Sequence, residues 1–475
     1  MRLGIDIGTD VAQAALLDPA GAAQLVRFAD GSTRLPALAR QTMHGLQVGS
    51  GAAQSLVGNA ETTVVGCTRL MGRASDLPRR LLDRLAYPVR DVAGEALCDL
   101  LYAEVRASEI YGQLVRALVD AAETMSGEVV DEVVLTVPAS AENRFRLQAR
   151  AAAEAAGVRV MRLINQPTAA ILAADLPATA QRVAVVNCAG GATEISLVER
   201  MGLDTRVVAT AGDLTLGGDD LAWAVADKLA ERFHTVAGLD LATADSAGLA
   251  RAGLRRAAGE ALETLCIAPE TLLVLDHGGG FGRDLATVVR RSDTDLWLAP
   301  QMEQLSELCA RVLGASGWSA SQLDAVVLIG EAAHLPHIQL TVAAAFERPA
   351  ASLHTLAAQT LAVRGAALIS AQSAPLVWDV TPYPLGINCY YGNTELFSPI
   401  IAANTPIPTP AVGMAGACTE PFQTREPDQT EVRLDVLQYR GPRVPQTHGK
   451  QRVFPKECEQ LGSWLFSGLH PQRGK

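Results

Sequence analysis

The chain has 475 residues, 49% of them hydrophobic, 19% charged and only 4% aromatic, with a formal net charge of −11. That length predicts two to four globular domains, and the acidic balance argues against a surface built for nucleic acid. No stretch reaches the roughly eighteen apolar residues of a membrane span, so no membrane partner is expected. The opening "MRLGIDIGTD" enters a strand-like pattern without a charged-then-apolar leader, which predicts a protein that is not exported. Eight cysteines, at 67, 98, 188, 266, 309, 389, 418 and 458, form no C-x-x-C pair, the usage of a reducing cytoplasm. No Cys or carboxylate cluster accompanies His334 and His337, so no metal centre is expected there.

Along the chain, apolar runs predict strands at 2–7, 132–137, 183–188, 205–210 and 325–329. Ala-rich amphipathic stretches predict helices at 104–124, 141–156, 219–234, 249–266, 299–313 and 356–372. This alternation is that of an α/β protein. The rhythm changes at "SAPLVWDVTPYPLGI" (373–387), beyond which Pro, Gly, Thr and Gln rise and long helical periods vanish. Short strands and turns are expected from there on.

Two segments echo one another. "LGIDIGTD" (3–10) and "VAVVNCAGGATE" (183–194) are each an apolar strand running into a turn of small residues. Glycine carries no Cβ, so such a turn lets backbone N–H groups approach phosphate oxygens closely. One turn in each half suits a nucleotide held between two similar lobes, at about 1–182 and 183–372.

Eight segments in order carry a resemblance. They are "GIDIGT" (4–9), "TRLMGR" (68–73), "VVLTVPASAENR" (133–144), "LINQPTAAILA" (163–173), "VVNCAGGATEIS" (185–196), "ATAGDLTLGGDDL" (209–221), "VVLIGEAAHLPHIQ" (326–339) and "LVWDVTPYPLGI" (376–387). Together they resemble the heat-shock protein 70 (DnaK-like) chaperone family over nearly the whole chain. Sugar kinases of the same actin-like superfamily lack the last segment. The resemblance implies an actin-like two-lobed ATPase domain at 1–372, a linker at 373–380 and a β-sandwich peptide-binding domain at 381–475. That last part stops short of the family's further strands and helical lid. ATP or ADP with Mg²⁺ would be the ligand, met by Asp6, Gly8, Thr9, Asp10, Gly190, Gly191, Glu194 and Gly330, with Asp6 reaching the metal through water. Leu376, Val377, Trp378 and Asp379 match the linker. Ile387, Tyr390, Phe422, Arg425, Val432 and Leu434 match the peptide groove and its arch.

The catalytic positions depart from the family's pattern. A lysine that positions water and γ-phosphate is replaced by Thr68, and the only lysines are at 228, 450, 456 and 475. Gln166 and Asn187 stand where the family has Glu and Asp, Ala192 replaces a threonine, and Asp10 puts negative charge where a polyphosphate would lie. On the adenosine helix, Leu262 and Cys266 replace Lys and Ser. Amides keep the shape of carboxylates but cannot take a proton or offset Mg²⁺ charge. The expectation is a polypeptide-binding chaperone with feeble or absent hydrolysis. The alternative is a non-enzymatic adaptor docking one protein partner, and self-association through a free C-terminal β edge is a further expectation.

Overall fold

The computed structural model describes residues 1–53, 57–73, 77–202, 204–238, 249–275, 285–371, 377–407, 422–424, 428–441, 445–446 and 452–468. The chain divides into two compact units, Met1–Thr205 with Ala211–Leu376, and Arg206–Thr210 with Val377–Lys475.

The first unit opens with β1 (Arg2–Ile7), β2 (Val11–Leu17) and β3 (Ala23–Leu25), followed by α1 (Ala107–Ser126). Next come β4 (Glu132–Val137), α2 (Asn143–Ala155) and β5 (Arg159–Asn165). The strands lie in the order β5-β4-β1-β2-β3. The β1–β4 and β4–β5 pairs are parallel and β1–β2 is an antiparallel hairpin. The parallel strands are nearly continuous apolar runs because helices pack on the sheet. Leu3, Ile5 and Leu135 join Leu114 and Leu118 of α1 in one core.

α3 (Gln166–Ala173) begins at the residue after β5, with Pro167 in its first turn, a position where the missing N–H costs nothing. Then follow β6 (Arg182–Cys188), β7 (Thr193–Met201), β8 (Asp204–Asp213), α4 (Gly218–Ala237) and α5 (Leu249–Leu265). α6 (Ala299–Ser316), β9 (Ala325–Ile329), α7 (Pro336–Ala345) and α8 (Leu361–Ile369) complete the unit. β6 pairs antiparallel with β7 and parallel with β9. Each half therefore repeats one scheme, a hairpin with a small-residue turn flanked by a parallel strand, which is the physical form of the sequence echo. The fold is the α/β two-lobed type expected, with a β region after it.

The halves meet at a joint without side chains. A Cβ on Gly365 of α8 would lie 1.7 Å from Ala169 O of α3, and one on Gly4 of β1 would lie 2.3 Å from Ala367 N.

Two helix starts differ from expectation. Residues 356–360 form a turn rather than the first turn of α8, because Ala357 adopts a left-handed φ of 57°. Glu104–Arg106, expected at the head of α1, instead form a strand against Leu97–Asp99.

In the second unit, β10 (Val377–Val380) pairs with Pro406–Ile407. β11 (Leu385–Tyr391), β12 (Thr394–Ile401), β13 (Glu431–Tyr439) and β14 (Cys458–Ser467) form an antiparallel sheet in the order β12-β11-β13-β14. Its small core is Phe397, Leu437, Tyr439 and Val453. Among the described residues, this unit contains no α-helix, and no helix of the protein is long and apolar enough to cross a membrane.

Candidate functional site

The end of β1, the start of α3 and the end of β6 bring three expected residues together. Asn187 Nδ2 donates to Gln166 Oε1 at 2.9 Å, and Gln166 Nε2 donates to Asp6 Oδ1 at 2.8 Å. Thr136 Oγ1 of β4 donates to the same oxygen. Burial pushes the Asp6 carboxyl above its ordinary value, and the Thr136 and Gln166 donors oppose that rise. The amides thus form a directed relay that ends on the one carboxylate. With Glu and Asp in their places, the 2.8 and 2.9 Å contacts would set carboxylate against carboxylate. Such a cluster needs a cation or shared protons.

Glu194 of β7 has other commitments. Its Oε2 accepts from Ala139 N at 2.9 Å, and its Oε1 accepts from Ser140 N at 2.8 Å and from the Ser140 hydroxyl. It is 1% exposed, and it anchors the loop after β4. Its extra methylene, relative to aspartate, gives it the reach.

The two glycine turns touch. A Cβ on Gly190 would lie 2.0 Å from Asp10 Oδ2, and one on Gly191 would lie 2.5 Å from Thr9 Oγ1. Gly8 N closes its own hairpin on Val11 O at 2.9 Å. The start of α4 is also spent on the second turn, since Gly218 N and Asp219 N donate to Ala189 O and Gly190 O at 2.9 and 2.8 Å. These are the free N–H groups with which a helix start would hold an anion. Thr68 lines a cavity of about 60 Å³ with Thr9, Ser140, Gly191 and Ala192. That space suits a few waters.

Asp10 faces Glu331, which follows Gly330 in the glycine turn at the end of β9. Burial, then the Asp10 charge, push Glu331 up to about 8, and burial raises Asp10 too despite Arg255. At neutral pH the pair therefore holds a proton. Arg34 Nη2 stands 3.3 Å from Glu331 Oε1. Gly330 takes φ 91° and packs on the end of β6, where a Cβ would lie 2.8 Å from Asn187 Oδ1. Asp6, Gly190 and Gly330 are thus linked around one site.

An arginine lattice crosses between the halves. Arg69 Nη1 donates to Asp219 Oδ2 at 2.8 Å, and its Nη2 donates to Asp220 Oδ1 at 3.0 Å. Arg255 Nε donates to Asp219 Oδ1 at 2.6 Å, and Arg84 Nη1 lies 3.6 Å from Asp220 Oδ1. Asp220 is buried and also accepts from Gly217 N at 3.0 Å. Sequence reasoning missed Arg69, Asp219, Asp220, Arg255 and Glu331, although all but Arg255 lie inside the quoted motifs. On the adenosine helix, Leu262 is buried, and His334 Nε2 bonds Glu263 Oε2 at 2.8 Å. Among the described residues, no group of three or more His, Cys, Asp or Glu has the arrangement of a metal site.

A family model described as "Hsp70 protein" matches residues 2–474. The chain belongs to the Hsp70 family. The chaperone protein dnaK1 of Prochlorococcus marinus strain MIT 9313 is 30% identical over 479 residues, spanning 99% of this chain and 68% of that one. Its counterpart from a second strain of the same organism, SARG / CCMP1375, is 29% identical over 478 residues, with the same two coverages. Hsp70 proteins bind ATP or ADP with Mg²⁺, and polypeptide substrates.

Of the residues that match the family's peptide groove, three share one face of the sheet in the second unit. Ile387 pairs with Val436, Leu434 with Trp464 and Val432 with Phe466. Directly opposed residues share a sheet face, so Ile387, Leu434 and Val432 lie together. Ile387 is buried and the other two are half-buried. Tyr390, an odd number of residues from Ile387, points to the other face and is exposed, as is Phe422. Arg425 and Leu376 lie outside the described residues. Val377, Trp378 and Asp379 of the linker are half-buried in β10, grouped with Arg206–Thr210 in the second unit.

Proposed function

We propose that this Hsp70 protein is a polypeptide-binding chaperone of the cytoplasm whose nucleotide site binds weakly and hydrolyses little or no ATP. The observation that carries the reading is the Asn187–Gln166–Asp6 relay. Phosphoryl transfer depends on positioned charge, and here the groups that would bring it are neutral and already satisfied by one another. Mg²⁺ favours an octahedron of oxygens. One oxygen of the Asp6 carboxylate already accepts from Thr136 and from an amide N–H. With Gln166 and Asn187 neutral, fewer carboxylates remain to hold the ion's waters, so binding of Mg²⁺ with the nucleotide is weakened. Asp10 against Gly190 adds negative charge between the two glycine turns. The plan this reading uses is a nucleotide-binding-like domain at 1–372 in two lobes, a linker at 373–380 and a peptide-binding-like domain at 381–475. Titration calorimetry with ADP and with ATP·Mg²⁺ tests it, alongside a turnover assay. The triple variant Thr68→Lys, Gln166→Glu, Asn187→Asp should gain turnover where Thr68→Lys alone gains none, because groups acting as a unit do not add. Tight nucleotide binding with ordinary chaperone turnover in the wild type refutes the proposal.

One observation favours the adaptor reading. Trp464 and Phe466 are about half exposed, on one face with Val432 and Leu434. A partner strand or a second copy of the chain would cover such a face by edge pairing plus apolar burial. Val432→Asp should then change the size-exclusion profile or the co-purifying partner. An unchanged profile and partner set removes this alternative.

A further inference from the structure

Lobe I closes a hydrophobic core of its own, drawn from residues 3–160. Charged groups tie it to lobe II, and two helices of that lobe each give one face to the tie. On α4, Asp220, Trp223 and Asp227 stand at i, i+3 and i+7, on one side of the helix. Arg84 Nη1 lies 3.6 Å from Asp220 Oδ1 and its Nη2 lies 3.3 Å from Asp227 Oδ2. The same guanidinium lies 4.9 Å from the centre of the Trp223 ring. On α5, Arg251 and Arg255 stand about one turn apart. Arg251 Nη1 donates to Asp83 O at 3.1 Å, and Arg255 Nη2 lies 3.8 Å from Asp10 Oδ1.

Arg69 sits at the centre of these contacts. A Cβ on Gly191 would lie 2.8 Å from Arg69 Cγ and 2.9 Å from its Cδ, so the stem of the side chain lies against the second glycine turn. The guanidinium goes on to Asp219 and to both oxygens of Asp220. The Arg69 and Asp220 side chains are 10% and 3% exposed, too dry for water to screen the pair as it does at a surface.

We infer that Arg69 is an intramolecular clasp, which ties the two lobes across the glycine turns with no need of a ligand between them. Its side chain takes room beside the turns, and its charge is spent on the acids at the start of α4. Arg69, Arg84 and Arg255 stand against Asp219, Asp220 and Asp227, so these charges balance within the chain. A phosphate entering there would have to draw Arg69 from two acids and leave buried Asp220 short of charge, which is costly. Opening of the clasp is therefore the step that precedes any ligand between the turns. The inference goes beyond a weak nucleotide site. It concerns the chain alone and is tested without nucleotide, so either reading can fail while the other holds.

The test is hydroxyl-radical footprinting of the full chain, which labels side chains by their exposure to water and is mapped by peptide mass. Met71, 1% exposed, lines the same cavity as Arg69 and Gly191; with Trp223 it reports on the clasp. Tyr111 and Phe346, one in each lobe and fully buried, report on folding. In Arg69→Leu the apolar part of the stem stays and the charge goes. Labelling of Met71 and Trp223 should rise at least about three-fold, because a buried acid left without its cation draws water in. Tyr111 and Phe346 should stay as in the wild type. Arg69→Lys, which returns the charge without the planar fork, should recover part of the protection. Where Arg69→Leu loses protection at Tyr111 and Phe346, Arg255→Leu decides by the same comparison, with a smaller rise expected because Asp219 keeps Arg69. Heavy labelling of Met71 in the wild type, unchanged labelling of Met71 and Trp223 in the deciding variant, or Arg69→Lys labelled as fully as Arg69→Leu each overturns the inference.

Discussion

Gln166→Glu converts a hydrogen-bond donor into a second acid beside Asp6, and its cost can be worked from the 2.8 Å contact. Two routes are open to the variant. If both acids ionise, two charges 2.8 Å apart at an effective dielectric near 20 repel by roughly 6 kcal/mol. If the new glutamic acid stays protonated, its OH keeps the contact. Holding that proton at about pH 7.5, against an ordinary value near 4.3, costs about 4 kcal/mol. The chain takes the cheaper route, and local relaxation lowers it, so a loss of roughly 3–4 kcal/mol is expected at about pH 7.5. At about pH 4.5 the proton is nearly free and the loss should fall below roughly 1 kcal/mol. Asn187 Nδ2 can still donate to either form of the new side chain, so that contact does not change sign. The assay is urea unfolding followed by far-UV circular dichroism at both pH values, with the first unit's transition resolved from the second's. A loss below about 1 kcal/mol at pH 7.5, or one equal at the two pH values, would refute the relay.

Other expectations follow from the same geometry. Arg69→Met leaves Asp219 and buried Asp220 short of a cation, and should cost about 3–5 kcal/mol, the scale for breaking one side of a buried pair; loss under about 1 kcal/mol by denaturation would show that Arg255 and Arg84 suffice. Glu331 is raised from 4.5 to about 8 on folding, so the folded state binds the extra proton between those values and stability falls as pH rises through that window. His334, raised from 6.5 to about 10, adds stability that is complete below 6.5 and lost towards 10, in the same direction. Melting temperature should therefore decline from about pH 5 to about pH 8, and Glu331→Gln should flatten that decline; a parallel decline in the variant would locate the titration elsewhere.

Local signals were legible and cross-chain ones were not. β1, β4 and β9 lie at 2–7, 132–137 and 325–329 as their apolar runs predict, because a strand buried in a sheet needs apolar residues whatever its neighbours are. The start of α8 was misread because a left-handed Ala357 carries no compositional mark. At the site, the substitutions at Gln166 and Asn187 could be read from the sequence, but their mutual bonding could not, since 21 positions separate them. Arg69 lies 150 positions from Asp219, and "GGDD" alone reads as an ordinary acidic helix start. Glu194 was readable as an acid but not as an anchor, because its partners are mostly backbone N–H groups, which every sequence position offers.

The contact between Gly365 and Ala169 sets a common datum for both ends of the relay. Gln166 hangs from the first turn of α3, Asp6 from the end of β1, and α8 rests on both through Gly365 and Gly4. Backbone meeting backbone leaves no side chain to repack, so an added methyl group cannot be absorbed locally and must shift a whole element. Alignment of these two elements is therefore inherited from the scaffold and not from the chemistry of the groups they carry. A chain built this way can exchange its acids for amides and keep the parts in register, and the same rigidity would hold restored acids at the original spacing.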